Sequence, residues 1–211
     1  LLFPNLKEQL SGLTSIKVTK SDGNSVSILK QDGRWVLQEK SGYEVDFSKL
    51  SRFLVQFSEH RIVEEKTSIP SNYSRLGVAG NDPGAGGSVI LMPGEYSLLV
   101  GNEGPSRGSF VRYRGDSQVY LTNKPVEAST DWLEWIDPVV INIEPANVRE
   151  VKIATESAEL LLANRNESSG EFELLGIPAG RELKHATVAD SLTRLLVNVR
   201  MPDVESYNPL I

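Results

Sequence analysis

The sequence predicts an α+β protein, rich in antiparallel strands, in which two related strand-strand-strand-helix units flank a four-strand meander. Three observations carry this. Short alternating apolar runs are separated by Asp-Gly, Pro-Gly and Asn-containing turn signals. Helical spacing is confined to a few places, the clearest being Leu50, Phe53, Leu54 and Phe57. The order strand, strand, strand, capped helix is read twice, once from LTSIKVTKSDGNSVSILK and again from VREVKIATESAELLL.

Taken in order, Pro4 with Leu6, Leu10 and Leu13 predicts a short opening helix. Ile16 and Val18 alternate as a first strand, Asp22-Gly23-Asn24 turns, and Val26, Ile28 and Lys30 form a second. Asp32-Gly33 is a tight hairpin turn leading to a third strand at Trp35-Val36-Leu37, with Trp35 in the core. Asp46 caps a helix over 47–59. Ile62-Val63 is a short strand or extended exit, and 67–88 is an irregular link containing Asn81-Asp82-Pro83-Gly84 and Gly86-Gly87. Ser88–Met92, Tyr96–Val100, Ser109–Arg114 and Gln118–Leu121 form the meander, turned at Pro93-Gly94 and Gly115-Asp116. A short helix over Asp131–Ile136 stops at Asp137-Pro138.

The second half repeats the pattern. Strands are predicted at Val151–Ile153, 158–163 and Glu171–Leu175. Thr187 and Asp190 form a capping box for a helix that carries Leu192, Leu195, Leu196 and Val199. Ile16 and Val18 then answer to Val151 and Ile153, Trp35 to Phe172, and Ser51–Leu54 to Thr193–Leu196. The domain division expected is 1–140 for the first unit with the meander and 141–211 for a truncated second unit. If Tyr207 answers Tyr73, the chain reads as a fragment, with an exposed edge where absent strands would pair.

The 211 residues carry 22 Lys and Arg against 28 Asp and Glu, a net charge of −6. With no basic stripe to meet phosphates, nucleic acid is not an expected partner. There are no cysteines, which removes disulfides, thiol catalysis and Cys-based metal sites. No run of 18 apolar residues offers a membrane span.

Catalytic signals are sparse, and the expected sets of catalytic, cofactor-binding and metal-binding residues are all empty. His60 and His185 lack ligands at metal spacing and read as structural or surface residues. Gly84-Ala85-Gly86-Gly87-Ser88 leads into a strand rather than a helix, so it is a linker and not a phosphate cradle. Glu64-Glu65 and Asp131/Glu134 are carboxylate pairs expected on the surface. Arg107, Arg112 and Arg114 form a basic cluster. It is expected to guard a solvent-facing strand edge, the alternative being contact with an acidic partner or a carboxylate ligand. Trp132 and Trp135 are expected to dock their helix into the core. Asn72-Tyr73-Ser74 and Asn166-Glu167-Ser168 are glycosylation triplets of a kind that arises often by chance.

The stretches LFPNL, DGRWVLQ, YSRLGV, YSLLVGNEGPSRGSFVRYRG, QVYLTN and DWLEW, in that order, resemble the bacterial family catalogued as domain of unknown function 4340. The resemblance implies an N-terminal membrane segment followed by an extracytoplasmic domain. It also implies a protein partner among ABC-type export or gliding-like transport components. It supplies no catalytic residues. The functional expectation is therefore a non-enzymatic binding or scaffold protein of the cell envelope, without cofactor. The alternative is a binding module for a small molecule, glycan or lipid.

Overall fold

The computed structural model describes residues 1–80, 87–93, 96–105, 107–154, 160–177, 179–180, 182–183, 185 and 187–207. The loop at 81–86, the tip of the Pro93-Gly94 turn, residues 158–159 of the second-half strand and the last four residues lie outside this set. The chain divides into two compact units. The first is Leu1–Asp137 together with the chain from Val204 on, and the second is Pro138–Asp203.

The first unit is built on strands β1 (Ser15–Lys20), β2 (Ser25–Gln31), β3 (Arg34–Leu37), β4 (Tyr43–Glu44), β5 (Ile62–Thr67), β6 (Ser88–Leu91), β7 (Ser97–Glu103), β8 (Ser109–Tyr113) and β9 (Val119–Thr122). They form one sheet in the order β4-β3-β2-β1-β6-β7-β8-β9-β5. Every neighbouring pair is antiparallel. Turn chemistry sets the hairpins. Asp32 and Gly33 both take positive φ, 48° and 81°, as the two-residue turn between β2 and β3 requires. The strands of the meander, β6 to β9, lie side by side as the turns predict. The sequence did not foretell that β1 pairs with β6, Val18 opposite Ile90, so that hairpin and meander share one sheet.

Both faces of the central strands are covered, which is why SVIL and SLLV are nearly continuous apolar runs. On one face Val89, Leu99 and Val119 pack with Tyr73 and Val78. These two come from helix α3 (Tyr73–Leu76) and the chain just after it. On the other, Phe3 stands 5.3 Å edge-on to Tyr113 and 5.6 Å from Phe57 of helix α2 (Phe47–Ser58). The opening helix, α1, is short, Leu6–Gln9, and continues as a 3-10 turn to Gly12. Trp35 is 8% exposed, and Ile16, Val18 and Ile28 are fully buried.

In the second unit β11 (Glu150–Ala154), β12 (Leu160–Arg165) and β13 (Phe172–Leu175) form an antiparallel sheet in that order. A separate ribbon pairs β10 (Val139–Ile141) with β14 (Val199–Arg200). Ala163, Phe172 and Ala189 make a small core, with Val151, Leu174 and Leu192 against it. The rows of facing residues run Ile16–Ile28–Leu37 in the first unit and Val151–Ala163–Leu174 in this one. Lys30 N–H donates to Thr14 O at 2.8 Å, and Arg165 N–H to Arg149 O at 2.9 Å.

The second helix departs from expectation. Helix α4 spans only Val188–Leu192, and Thr187 makes no side-chain cap. Asp190, expected to complete a capping box, accepts from Phe172 N–H at 3.3 Å instead. The Ser191 and Thr193 hydroxyls bond back to the carbonyls of Val188 and Asp190, an alternative that weakens a short helix. Turns follow, Asn198 takes φ 53°, and Val199 joins a strand. The apolar spacing of Leu195 and Leu196 was misleading, since they are 55% and 44% exposed.

Helix α2 shows the contrast. Asp46 accepts from the N–H groups of Ser48 and Lys49 and from the Ser48 hydroxyl at 2.6 Å. These bonds, the Ser48 hydroxyl first, hold its carboxyl below the usual carboxylate range, against a smaller opposing push from burial. A depressed folded pKa means the stabilisation is present above the unfolded pKa, about 3.9, and fades as pH falls through the folded value. Asp46→Ala is expected to lose about 1 kcal/mol in urea unfolding at pH 7. That deficit should shrink toward zero well below about pH 4. A deficit unchanged in acid would contradict the charged cap.

Candidate functional site

A groove of about 670 Å³ lies between α2 and the chain at 127–135, walled by Arg52, Phe53, Gln56, Glu127, Glu134 and Trp135. A smaller recess of about 200 Å³ adjoins it at Phe57, His60 and Lys124. The far wall is fastened to the helix start. Asp46 N–H donates to Trp135 O at 2.8 Å, and the Lys49 ammonium donates to Ile136 O. Trp135 is 4% exposed, donates its indole N–H to Ser129 O at 3.1 Å and meets Phe53 edge-on at 5.2 Å. Trp132 does not share this burial. It is half-buried, with Lys40 Nζ 4.6 Å from its ring centroid. Their segment is a 3-10 turn over Trp132–Trp135, capped by Asp131, which accepts from Leu133 N–H.

His60 borders the recess but is 4% exposed. Its Nδ1 lies 2.8 Å from Gln56 O and its Nε2 2.9 Å from Pro125 O. Both ring nitrogens therefore face carbonyls, and the imidazole fastens the end of α2 to the strand-exit chain. Arg61 N–H to Asn123 Oδ1 at 2.8 Å reinforces the same junction. His185 is exposed, in the other unit. Of the paired acids, Glu64 binds Lys66 at 2.6 Å on the surface. Among the described residues no three His, Cys, Asp or Glu side chains gather as a metal site.

The arginine cluster is not what the sequence suggested. β8 is an interior strand, between β7 and β9, so Arg112 guards no edge. Its guanidinium is half-buried. Nε and Nη2 donate to Val78 O at 3.0 and 2.8 Å, and Nη1 to Asp116 O at 2.8 Å, while the group sits 4.4 Å from the Tyr73 ring centroid. Arg107 and Arg114 are exposed, Arg107 in a turn with φ 60°. The three do not converge. Arg165, which sequence reasoning passed over, does similar work in the second unit: it binds the carbonyls of Val148, Gly170 and Pro145, 4.8 Å from the Phe172 ring. Tyr113 was also missed. Its hydroxyl donates to Leu2 O, and burial, with Tyr120 and Asp116 nearby, pushes its pKa up to about 12. Gly87, the described end of the glycine loop, opens directly into β6.

Sheet edges are the other candidate surface. β5 carries two register shifts and the charged run Glu64-Glu65-Lys66, and β4 is only two residues long. Bulges, charge and shortness are the devices that keep edge strands from pairing with strangers. β11 carries charge at Glu150 and Lys152 but no bulge. Its five residues pair with β12 in unbroken register, and its other side has no partner among the described residues.

These features define a strand-rich α+β protein of antiparallel sheets, with an open groove on helix α2 and an unbulged strand edge in its smaller unit. The family model described as domain of unknown function (DUF4340) matches residues 35–208, from β3 through the whole second unit, and the chain belongs to that family. No curated protein and no solved structure matches it.

Arg112→Lys keeps the charge but loses the planar fork that reaches two carbonyls at once. It is expected to cost about 1–3 kcal/mol in urea unfolding. Arg114→Lys should stay within about 0.5 kcal/mol of the parent. Equal small effects would mean that the Arg112 bonds do not form in solution.

Proposed function

We propose that this chain is a non-catalytic extracytoplasmic binding or scaffold protein, an accessory to an ABC-type export or gliding-like transport system. In this reading two related strand-strand-strand-helix units flank the four-strand meander. The observation that carries it is the matched register of the two units. Thr14–Lys30 and Ile16–Ile28 answer to Arg149–Arg165 and Val151–Ala163 at one constant offset, down to the same backbone hydrogen bond. Trp35 and Phe172 likewise face Lys30 and Arg165. The helices have diverged, twelve residues against five. A strand unit that ends in an unbulged edge suits recognition by main-chain hydrogen bonding. The polar side chains richest in potential chemistry, His60 and Arg112, are committed to main-chain carbonyls. The envelope location, membrane anchoring and transporter partner are supported by the family resemblance.

The α2 groove favours the alternative, a small-molecule, glycan or lipid module. Its volume falls in the range of ligand pockets, about 300–1,000 Å³, and Phe53 and Trp135 give it an aromatic wall.

The test is a cross-linked pull-down of the natural full-length protein from its own membranes. Recovery of transporter permease or ATPase subunits is expected. Their absence from a verified membrane fraction would overturn the accessory role and bring the groove forward.

A further inference from the structure

We infer that the edge of β11 turned away from β12, unpaired among the described residues, is a strand-docking site, and that its occupant is an antiparallel strand from outside residues 1–211 with aliphatic residues at alternate positions. The inference rests on the repeat reading above and names what the second unit binds.

The backbone geometry comes first. In an antiparallel pair, residues that exchange hydrogen bonds alternate with residues whose N–H and C=O point the other way. Arg165 N–H donates to Arg149 O, so 149, 151 and 153 face β12. The main-chain groups of Glu150, Lys152 and Ala154 therefore point outward, away from β12, along the free edge. The first unit shows what such an edge takes. Lys20 N–H donates to Asn24 O on the β2 side, which leaves Lys17 and Thr19 directed at β6. There they face Leu91 and Val89, while Val18 sits opposite Ile90 with both side chains at 0% exposure.

At the constant offset, Lys17, Val18 and Thr19 become Lys152, Ile153 and Ala154. Val151 and Ile153 are only half-buried, where Ile16 and Val18 are fully buried. A strand laid on β11 in the manner of β6 would place an aliphatic residue beside Ile153 and complete its burial. The edge carries charge at Glu150 and Lys152 but lacks the bulges of β5 and the shortness of β4. The ordinary partner in the first sheet, β6, is interior there and already paired on both sides, so it is not available.

The test is residue-resolved amide exchange on the 211-residue chain, alone and with a synthetic peptide of residues 87–92 bearing C-terminal lysines. Without peptide, Val151 and Ile153 should be protected by β12, and Lys152 and Ala154 should exchange freely. With about 1 mM peptide, exchange at Lys152 and Ala154 should slow by ~tenfold or more. Lys152→Pro removes an outward donor and no bond to β12, and should abolish the slowing. Ala154→Pro at the strand end serves if the first variant misfolds. Protection of Val151 and Ile153 with no peptide effect would overturn the docking site alone. Free exchange at Val151 and Ile153 would overturn the repeat reading and the docking site with it. Protection of Lys152 and Ala154 without peptide, lost on dilution, would mean that a second copy takes the edge, and would overturn the stated occupant.

Discussion

The pairing of β1 with β6 is the constraint on which the first unit depends. Four residue pairs, Lys17–Leu91 to Lys20–Ser88, join a local hairpin sheet to a local meander. Without them the nine strands would be two separate sheets, each with an exposed inner edge carrying Val18 or Ile90. In the chain β2, β3, β4, α2, β5 and α3 all lie between the two strands. Closing a loop of that length costs entropy that only extensive burial offsets. The fully buried row Val18, Ile90 and Leu98 supplies that burial at the seam itself.

A second layer of order comes from side chains that bind main-chain carbonyls. Arg112 holds the chain after α3, His60 holds the chain after β9, and Tyr113 holds the N-terminal segment through Leu2. Each lies where the backbone has left regular structure and its carbonyls need donors. The family's separate sequence stretches meet in this way. YSRLGV supplies Tyr73 and Val78 to Arg112 of SFVRYRG, and Asn102 of YSLLVGN donates to Arg75 O at 3.0 Å. Gly101 leaves room for that approach, since a Cβ there would run into Leu76 O. These stretches of the family resemblance pack together as a single assembly.

Local elements were legible because their signals are local. Asp32-Gly33 dictates a tight turn, Asp46 a helix start, and the alternation of Ile16 and Val18 the buried face of β1. The strand-rich α+β class followed directly. What the sequence hid was non-local. Nothing in Ile16–Val18 names Ser88–Leu91 as a neighbour, and nothing in Ile62-Val63 places β5 beside β9. Arg112 looked like a surface charge because its acceptors are backbone carbonyls, which carry no sequence signal. The helix over Leu192–Val199 failed for a readable reason: Ser191, Thr193 and Asn198 all offer the backbone non-helical alternatives. The α2 groove carried no sequence signal, since it depends on where the 127–135 chain comes to rest.

The most direct test of this account is an engineered disulfide across the seam, in a chain that has no other cysteine. Lys20 and Ser88 form a pair without mutual hydrogen bonds, where Cα atoms stand about 4.5 Å apart and close enough to bridge. The account predicts that Lys20→Cys/Ser88→Cys oxidises within one molecule and unfolds at higher urea than its reduced form. Thiols that stay reduced under mild oxidant, or that link only between molecules, would contradict the β1–β6 pairing and the single nine-stranded sheet built on it.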